Sequence, residues 1–447
     1  MSKIRLDHVD LAWLRMDDPT NPMLITVVMR FQGQIDDERL IETLEFHLGR
    51  YRRFRQRIVQ PKRLFHRAYW DDVPGYRVED HLERRNLRQP ADEAALDELI
   101  NQKVNEPLDF NHPLWQMTLV DNYPAGSVII TRVHHCIADG ISLMQIFLQM
   151  TRASAAESIT PAHLETVGRN ETSDDISTAK AGAAASRPRR VALYSKPPVT
   201  EIMAAAVRVV FRKPDPASLL KAPLGKWKKV LWSDPFPLPE IRKVARVKHA
   251  TTNDVLMAVA SGTIRRYLEL HGEVRTQNLR AFVLVNLRTR AIDEELGNKF
   301  GLVFLTLPVA LEQPLDRLGA VKQGMDQLKG SAEYAATYLI LKVLGWLPEW
   351  IEHIAIKILD RKGTVVATNV PGPRHPLYLA GAPILSIMAA VPQSGRIGVG
   401  LSFISYNDEV VFGLNVDSGL VPDPEVFIQL FSEEFKCFKD AMAAVTP

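Results

Sequence analysis

Residues 127–143 read SVIITRVHHCIADGISL. Val128 to His135 is rich in β-branched and apolar residues, which favours a strand. Asp139–Gly140 breaks that strand, and ISLMQIFLQMTRA runs on with Leu143, Ile146, Phe147 and Met150 on one helical face. Two adjacent histidines therefore sit where a strand turns into a helix. Successive strand side chains point to opposite faces. His134 and His135 then cannot converge on one metal ion or one substrate. The pattern favours a single imidazole acting as general base, with the Asp139 carboxylate at the bend and Gly140 permitting a tight turn. A lone histidine at a strand end is usually a satisfied polar residue. Two histidines followed by Asp and Gly at this spacing, at a strand–turn–helix junction, are poorly explained that way. Cys136 follows His135 and is expected to face away from it, so covalent catalysis by its thiol is the lesser alternative.

The 447-residue chain has length for two lobes and a sizeable core. Its hydrophobic fraction of 46% and charged fraction of 24% are ordinary for a globular protein. A net charge of +3 suits an anionic ligand or lipid surface without demanding nucleic acid. Two distant cysteines, Cys136 and Cys437, give no disulfide framework and no metal-ligand spacing, so a cytoplasmic location is expected. The opening MSKIRLDHVDLAWLRMDD has scattered charges and no apolar core of a signal peptide. No apolar run of about 18 residues predicts a transmembrane helix.

Outward from the histidines, Ile25–Phe31 reads as a strand, 36–49 as a helix with Asp36 or Asp37 as its N-cap, and 92–104 as a second helix. LWQMTLVDN from Leu114 is a further strand. Residues 155–215 are rich in Ala, Ser, Thr and charge and are expected to be a partly mobile linker, with a short helix at 201–213. Helices are expected at 238–246, from Thr252 or Asn253 to Leu270, and at 424–443. AFVLVNLR, LVFLTLPV and TVVATNVPG read as strands, and 397–417 as a hairpin turning at Asn407–Asp408. This alternation predicts an α/β (α+β) architecture with a first lobe at 1–154 and a second at 216–447.

HH-x-x-x-D-G resembles the motif of the CoA-dependent acyltransferase superfamily. That superfamily includes chloramphenicol acetyltransferase-like enzymes and peptide-synthetase condensation domains. Within it the chain is similar to the bacterial wax ester synthase/diacylglycerol acyltransferase family. LDHVDLAWLRMDDPTNPM near the start, PLDFNHPLW at 107–115, TTNDVLMAV at 251–259, VLVNLRTR, GNKFGLVFLTLPV and TNVPGP at 368–373 follow in that family's order. One departure lies at KAPLGKWKK, 221–229, where the family often carries Asn-Gly.

The resemblance implies a two-lobed chloramphenicol acetyltransferase-like fold with its active site in a tunnel between lobes. It implies an O-acyltransferase joining the acyl group of an acyl-CoA to a long-chain fatty alcohol or diacylglycerol, with no cofactor and no metal. His135 would be the general base, within a catalytic set of His134, His135, Asp139 and Gly140. Arg288 would pair with Asp139, or be an exposed arginine at a strand end. Asn253 and Asp254 would face the tunnel, or cap a helix, or both; Pro113, Leu114 and Trp115 would lie near the acyl entrance, or Trp115 would be ordinary core. The alternatives are a same-fold acyltransferase using a carrier-bound thioester and a non-catalytic lipid-binding protein.

Two further stretches bear on partners. YRRFRQRIVQPKRLFHR, 51–67, is dense in cations; a solvated helix face, nucleic acid, and anionic lipid or CoA phosphates are its readings, with lipid and CoA ranked above nucleic acid. Residues 334–363 are the most apolar, broken by Pro348 and by charges. They are expected either to lie in a membrane interface, with Trp346 and Trp350 at headgroup level, or to be a buried helix pair lining an acyl tunnel. Peripheral association with the inner membrane or lipid inclusions is the expectation.

Overall fold

The computed structural model describes residues 4–61, 68–157, 197–274, 276–287 and 296–443. The chain begins β1 (Ile4–Arg5), α1 (His8–Arg15), β2 (Leu24–Phe31), α2 (Asp37–His47), β3 (Gln56–Val59), β4 (Tyr69–Asp72) and β5 (Leu82–Arg85). It continues α3 (Glu93–Asn105), β6 (Trp115–Tyr123), β7 (Gly126–His134), α4 (Gly140–Met150) and α5 (Val199–Phe211). Then come β8 (Lys228–Trp232), β9 (Phe236–Pro237), α6 (Leu238–Val247), α7 (Thr252–Leu270), β10 (Leu279–Asn286) and β11 (Phe300–Leu307). The last third is α8 (Pro314–Lys329), α9 (Glu333–Leu344), α10 (Glu349–Leu359), β12 (Val365–Pro371), β13 (Tyr378–Leu379), β14 (Ala382–Ala390), β15 (Val399–Tyr406), β16 (Glu409–Asp417) and α11 (Pro424–Ala443).

Side-chain caps set the helix starts. Asp36 accepts the Arg39 N–H at 3.1 Å, Asp92 that of Ala95 at 3.0 Å and Asp139 that of Ser142 at 2.8 Å. Thr251 and Asp254 cap α7 reciprocally, each side chain accepting the other's backbone N–H. Asn407 and Asp408 both have positive φ, 50° and 58°, the backbone of a tight two-residue hairpin turn between β15 and β16.

Among the described residues one large sheet runs β13-β14-β2-β7-β6-β5 and another runs β11-β10-β12-β15-β16-β8. The second is held by α7 and α11, whose aromatic residues pack on its face; Phe412 and Phe431 stack with centroids 3.9 Å apart. The boundary expected at 216 does not coincide with the division between sheets. β14, from the second half, pairs antiparallel with β2 from Ile384↔Phe31 to Ala390↔Thr26. APILSIMAA supplies the partner that β2 needs on its open edge. Ser402, Trp232 and Asn415 of the second sheet donate to backbone carbonyls at Ala389 and Val391, drawing the two sheets together at β14. The expected linker also contains α5, which packs against α9; residues 158–196 lie outside the described residues.

Candidate active site

β7 ends at His134, whose N–H donates to the Leu114 carbonyl at 2.9 Å. His135 opens the turn, its own N–H donating to the Met23 carbonyl at 2.8 Å. The turn residues Cys136, Ile137 and Ala138 are wholly buried. The His135 ring lies flat on Trp13 of α1, with centroids 4.4 Å apart and an interplanar angle of 15°, and Phe300 is 5.5 Å away. Burial in this aromatic setting pushes the imidazole pKa down to about 4, so the ring is neutral at pH 7.

Asn298 decides which nitrogen carries the hydrogen. Its Nδ2 donates to the Asp10 carboxylate at 2.9 Å and to the His135 carbonyl at 2.8 Å. The side-chain oxygen is thereby turned to His135 Nδ1, 3.0 Å away, and accepts the ring hydrogen there. Nε2 is left with its lone pair, the form a general base requires. Asp10 in turn accepts the Asn298 N–H at 3.1 Å and pairs with Arg53 at 2.8 Å. Burial raises the Asp10 pKa, and the Arg53 charge opposes that rise. Arg53 also donates to the Cys136 and Ile137 carbonyls, so one guanidinium braces both the carboxylate and the histidine turn.

Asp139 ties the same turn to the second half. Its Oδ1 accepts the Ser142 N–H and hydroxyl, both at 2.8 Å, and its Oδ2 accepts the Lys299 N–H at 3.0 Å. The adjacent residues Asn298 and Lys299 thus grip His135 and Asp139 together. Arg288 lies outside the described residues. Gly140 begins α4 with an ordinary helical backbone, so the expected need for an unusual turn conformation is not what places a glycine here. A Cβ at this position would meet no atom within 4 Å, and Gly140 lines the cavity beside His135.

Two apolar cavities meet at His135. The first lies between the sheets; β2, β7, α4 and β14 wall it, with Met29, Val133, Phe147 and Ile387 among its lining. The second lies under α5, α9 and α10, with Val209, Ile340, Ile356 and Phe304 among its lining. Leu284, Val391 and Pro392 line both, as His135 does. Such apolar linings suit hydrocarbon chains.

The remaining expected residues fall apart from this centre. His134 faces the other way. Its Nδ1 is 2.9 Å from Cys136 Sγ and its Nε2 is 3.9 Å from Asp17, and it lines neither cavity. The Cys136 thiol, buried beside it, has its pKa raised by burial, which disfavours a thiolate. Trp115 does line the first cavity; it donates to the Phe54 carbonyl and stacks on His81 at 4.5 Å, as core tryptophans do. Pro113 and Leu114 are buried behind it and line neither cavity. Asp254 belongs to the α7 cap, and Asn253 accepts from Asn369 at 3.2 Å; neither reaches the cavities. The basic stretch is no solvated helix: its described part is a short turn and β3, with Arg53 turned inward and Arg52 and Arg57 paired to Asp72 and Asp71.

Sequence reasoning missed Asp10, Trp13, Arg53 and Asn298. Asp10, Trp13 and Asn298 lie within the family-like strings LDHVDLAWL and GNKFG, which were the available signal.

The two-lobed architecture with a buried histidine between cavities is an acyltransferase fold. The wax ester synthase/diacylglycerol acyltransferase from Marinobacter aquaeolei superposes with a TM-score of 0.70 at 20% identity, over 98% of this chain and 99% of that one. The starter condensation domain of rhizomide synthetase superposes with a TM-score of 0.62 at 14% identity, over 99% and 94%. Residues 6–256 match the family described as wax ester synthase/diacylglycerol acyltransferase catalytic domain, and 296–439 match the WS/DGAT C-terminal domain. The chain belongs to the wax ester synthase/diacylglycerol acyltransferase family. A Mycobacterium tuberculosis relative named "Probable diacyglycerol O-acyltransferase tgs1" is 26% identical over 435 residues, covering 94% of this chain and 92% of the relative. The O-acyltransferase WSD of Acinetobacter baylyi is 23% identical over 386 residues, 84% of each.

Proposed function

We propose that this chain is an acyl-CoA-dependent O-acyltransferase esterifying a long-chain fatty alcohol and/or diacylglycerol, with His135 as general base. One observation carries the reading: an imidazole with its Nδ1 hydrogen committed to Asn298 lies where two apolar cavities meet. Acyl chain and acceptor chain would occupy the two cavities and bring thioester and hydroxyl together at the ring. His135 Nε2 takes the hydroxyl proton as the alcohol oxygen bonds to the thioester carbonyl carbon. The tetrahedral intermediate collapses by breaking the C–S bond, and the imidazolium returns the proton to the leaving sulfur. CoA leaves as the thiol, and the ring is neutral again without an acyl-enzyme. Burial keeps competing water away from the thioester.

The names of the relatives support this substrate class, and a condensation domain of similar fold was crystallised with C8-CoA. In this reading Asp139 holds the histidine turn, with Arg288 as a further partner; Trp115 walls the chain-binding space; Pro113, Leu114, Asn253 and Asp254 support it from outside the cavities. Asn298 and Asp10 hold the ring. The first lobe centres on 1–154 and the second on 216–447, with β14 exchanged into the first sheet. Among the described residues no helix is long and apolar enough to cross a membrane, and the lipid acceptors are reached by peripheral contact with the inner membrane or lipid inclusions.

The test is to incubate the full chain with palmitoyl-CoA and either hexadecanol or a diacylglycerol, following thiol release and identifying the ester by mass spectrometry. Acceptor-dependent release with the matching ester is expected. Release of no thiol and formation of no ester with either acceptor overturns the proposal.

A further inference from the structure

Helix α5 lies within the stretch expected to be a linker, yet its outer face is apolar. Val199, Met203, Val207 and Phe211 recur at four-residue spacing and are 52–79% exposed. Soluble helices put such a stripe inward, but here the inward positions are taken by Ala205 and Val209. Helix α10 repeats the pattern: Trp350, Ile354 and Ile358, spaced by four, are exposed, while Glu352 is buried against Arg15.

The two stripes lie on neighbouring helices. α9 packs against both helices. Lys362, just after α10, donates to the Val210 and Arg212 carbonyls at 2.8 and 2.7 Å, which sets the C-terminal ends of α5 and α10 side by side. Trp346, in the turn between α9 and α10, adds a 65% exposed indole. Exposed apolar stripes on neighbouring helices, rather than scattered single residues, mark an interaction face.

The rim chooses the partner. Arg208, Lys213, Lys342, Lys357 and Arg361 are exposed around the stripes, against exposed Glu201 and Glu349. An apolar stripe rimmed by cations, with exposed tryptophans, matches a layer of acyl chains under anionic headgroups. Val209 of α5 and Ile356 of α10, with Ile340 of α9, line the second cavity. A lipid at this surface is one helix thickness, roughly 10 Å, from space that ends at His135.

We propose that α5, α10 and the turn bearing Trp346 form a docking platform for an anionic lipid surface, from which a membrane-resident acceptor enters the second cavity. The acceptor step rests on the acyltransferase reading; the docking step does not.

The experiment is flotation of the full chain with phosphatidylcholine vesicles, with and without phosphatidylglycerol. Wild type is compared with Val207→Glu/Phe211→Glu and Ile354→Glu/Ile358→Glu. These four side chains are exposed and line neither cavity, and unchanged circular dichroism confirms folding. Wild type should float with the anionic vesicles, less so at high salt, and each double variant should bind at least about tenfold more weakly. Ester formation from diacylglycerol embedded in the vesicles should fall in parallel, while thiol release with a short, water-soluble alcohol should stay at the wild-type rate. Variants that float like wild type overturn the platform, whatever the catalytic outcome. Loss of a dimer in the variants with unchanged flotation assigns the surface to a second copy and also overturns it. Wild type that floats but forms no ester with any acceptor retains the platform and removes the acyltransferase reading beneath it.

Discussion

The Asn298 side-chain oxygen lies 3.0 Å from His135 Nδ1, and the Asn298 amide nitrogen is committed to Asp10 and to the His135 carbonyl. The amide therefore cannot turn over without losing two hydrogen bonds in a buried site, which fixes the imidazole tautomer. Asp10, held by Arg53, fixes the amide in turn.

Asn298→Ala should lower kcat by about 10–10²-fold with little change in KM, because the ring loses its preferred tautomer but the cavities remain. Nitrogen-15 shifts of the His135 ring give a readout beyond activity. The hydrogen should sit on Nδ1 in wild type and distribute between both nitrogens in the variant. A wild-type ring protonated on Nε2 would contradict the arrangement.

The pH dependence has a defined sign. Burial lowers the folded His135 pKa to about 4 from its ordinary 6.5. The neutral ring predominates across that window, so the acid limb of kcat/KM should lie well below pH 6. The unfolded chain protonates this histidine between pH 6.5 and 4 while the folded chain does not, so its contribution to stability is full above 6.5 and declines as pH falls toward 4. His135→Gln removes that contribution, and its urea midpoint should fall less on acidification than that of wild type. An activity limb near pH 6.5 would mean a solvated imidazole.

Gly140 separates folding from chemistry. A Cβ there meets no atom within 4 Å, and Gly140 lines the first cavity. Gly140→Val should keep the thermal midpoint within a few degrees and reduce turnover of long chains by about tenfold or more, sparing short ones. Only the substrate housed in the first cavity should show the change in length preference. Equal loss for all chain lengths would mean that Gly140 serves the turn rather than the space.

The strand–turn–helix around the histidines was legible because period-two and period-3.6 patterns change there, with Asp139 at the cap. The opposed directions of His134 and His135 followed from strand alternation and hold, although the strand stops at His134. The partners of His135 were not legible from local patterns. Trp13 and Asn298 are 122 and 163 positions away along the chain, and only tertiary packing brings them to the ring. β14 was missed because its short apolar segment sits in the second half yet pairs in the first sheet. Arg53 was hidden in a cationic run, where composition suggests solvent or phosphate and burial beside Asp10 gives another role. The apolar stretch at 334–363 offered two readings, and both faces exist: one wall of a cavity and one exposed stripe.

The most direct measurement is acceptor-dependent thiol release from palmitoyl-CoA by wild type and His135→Gln, with folding checked for both. General-base chemistry at His135 predicts a loss of about 10²–10⁴-fold in the variant, with the ester disappearing in step. A variant that keeps ester synthesis near the wild-type rate would contradict it.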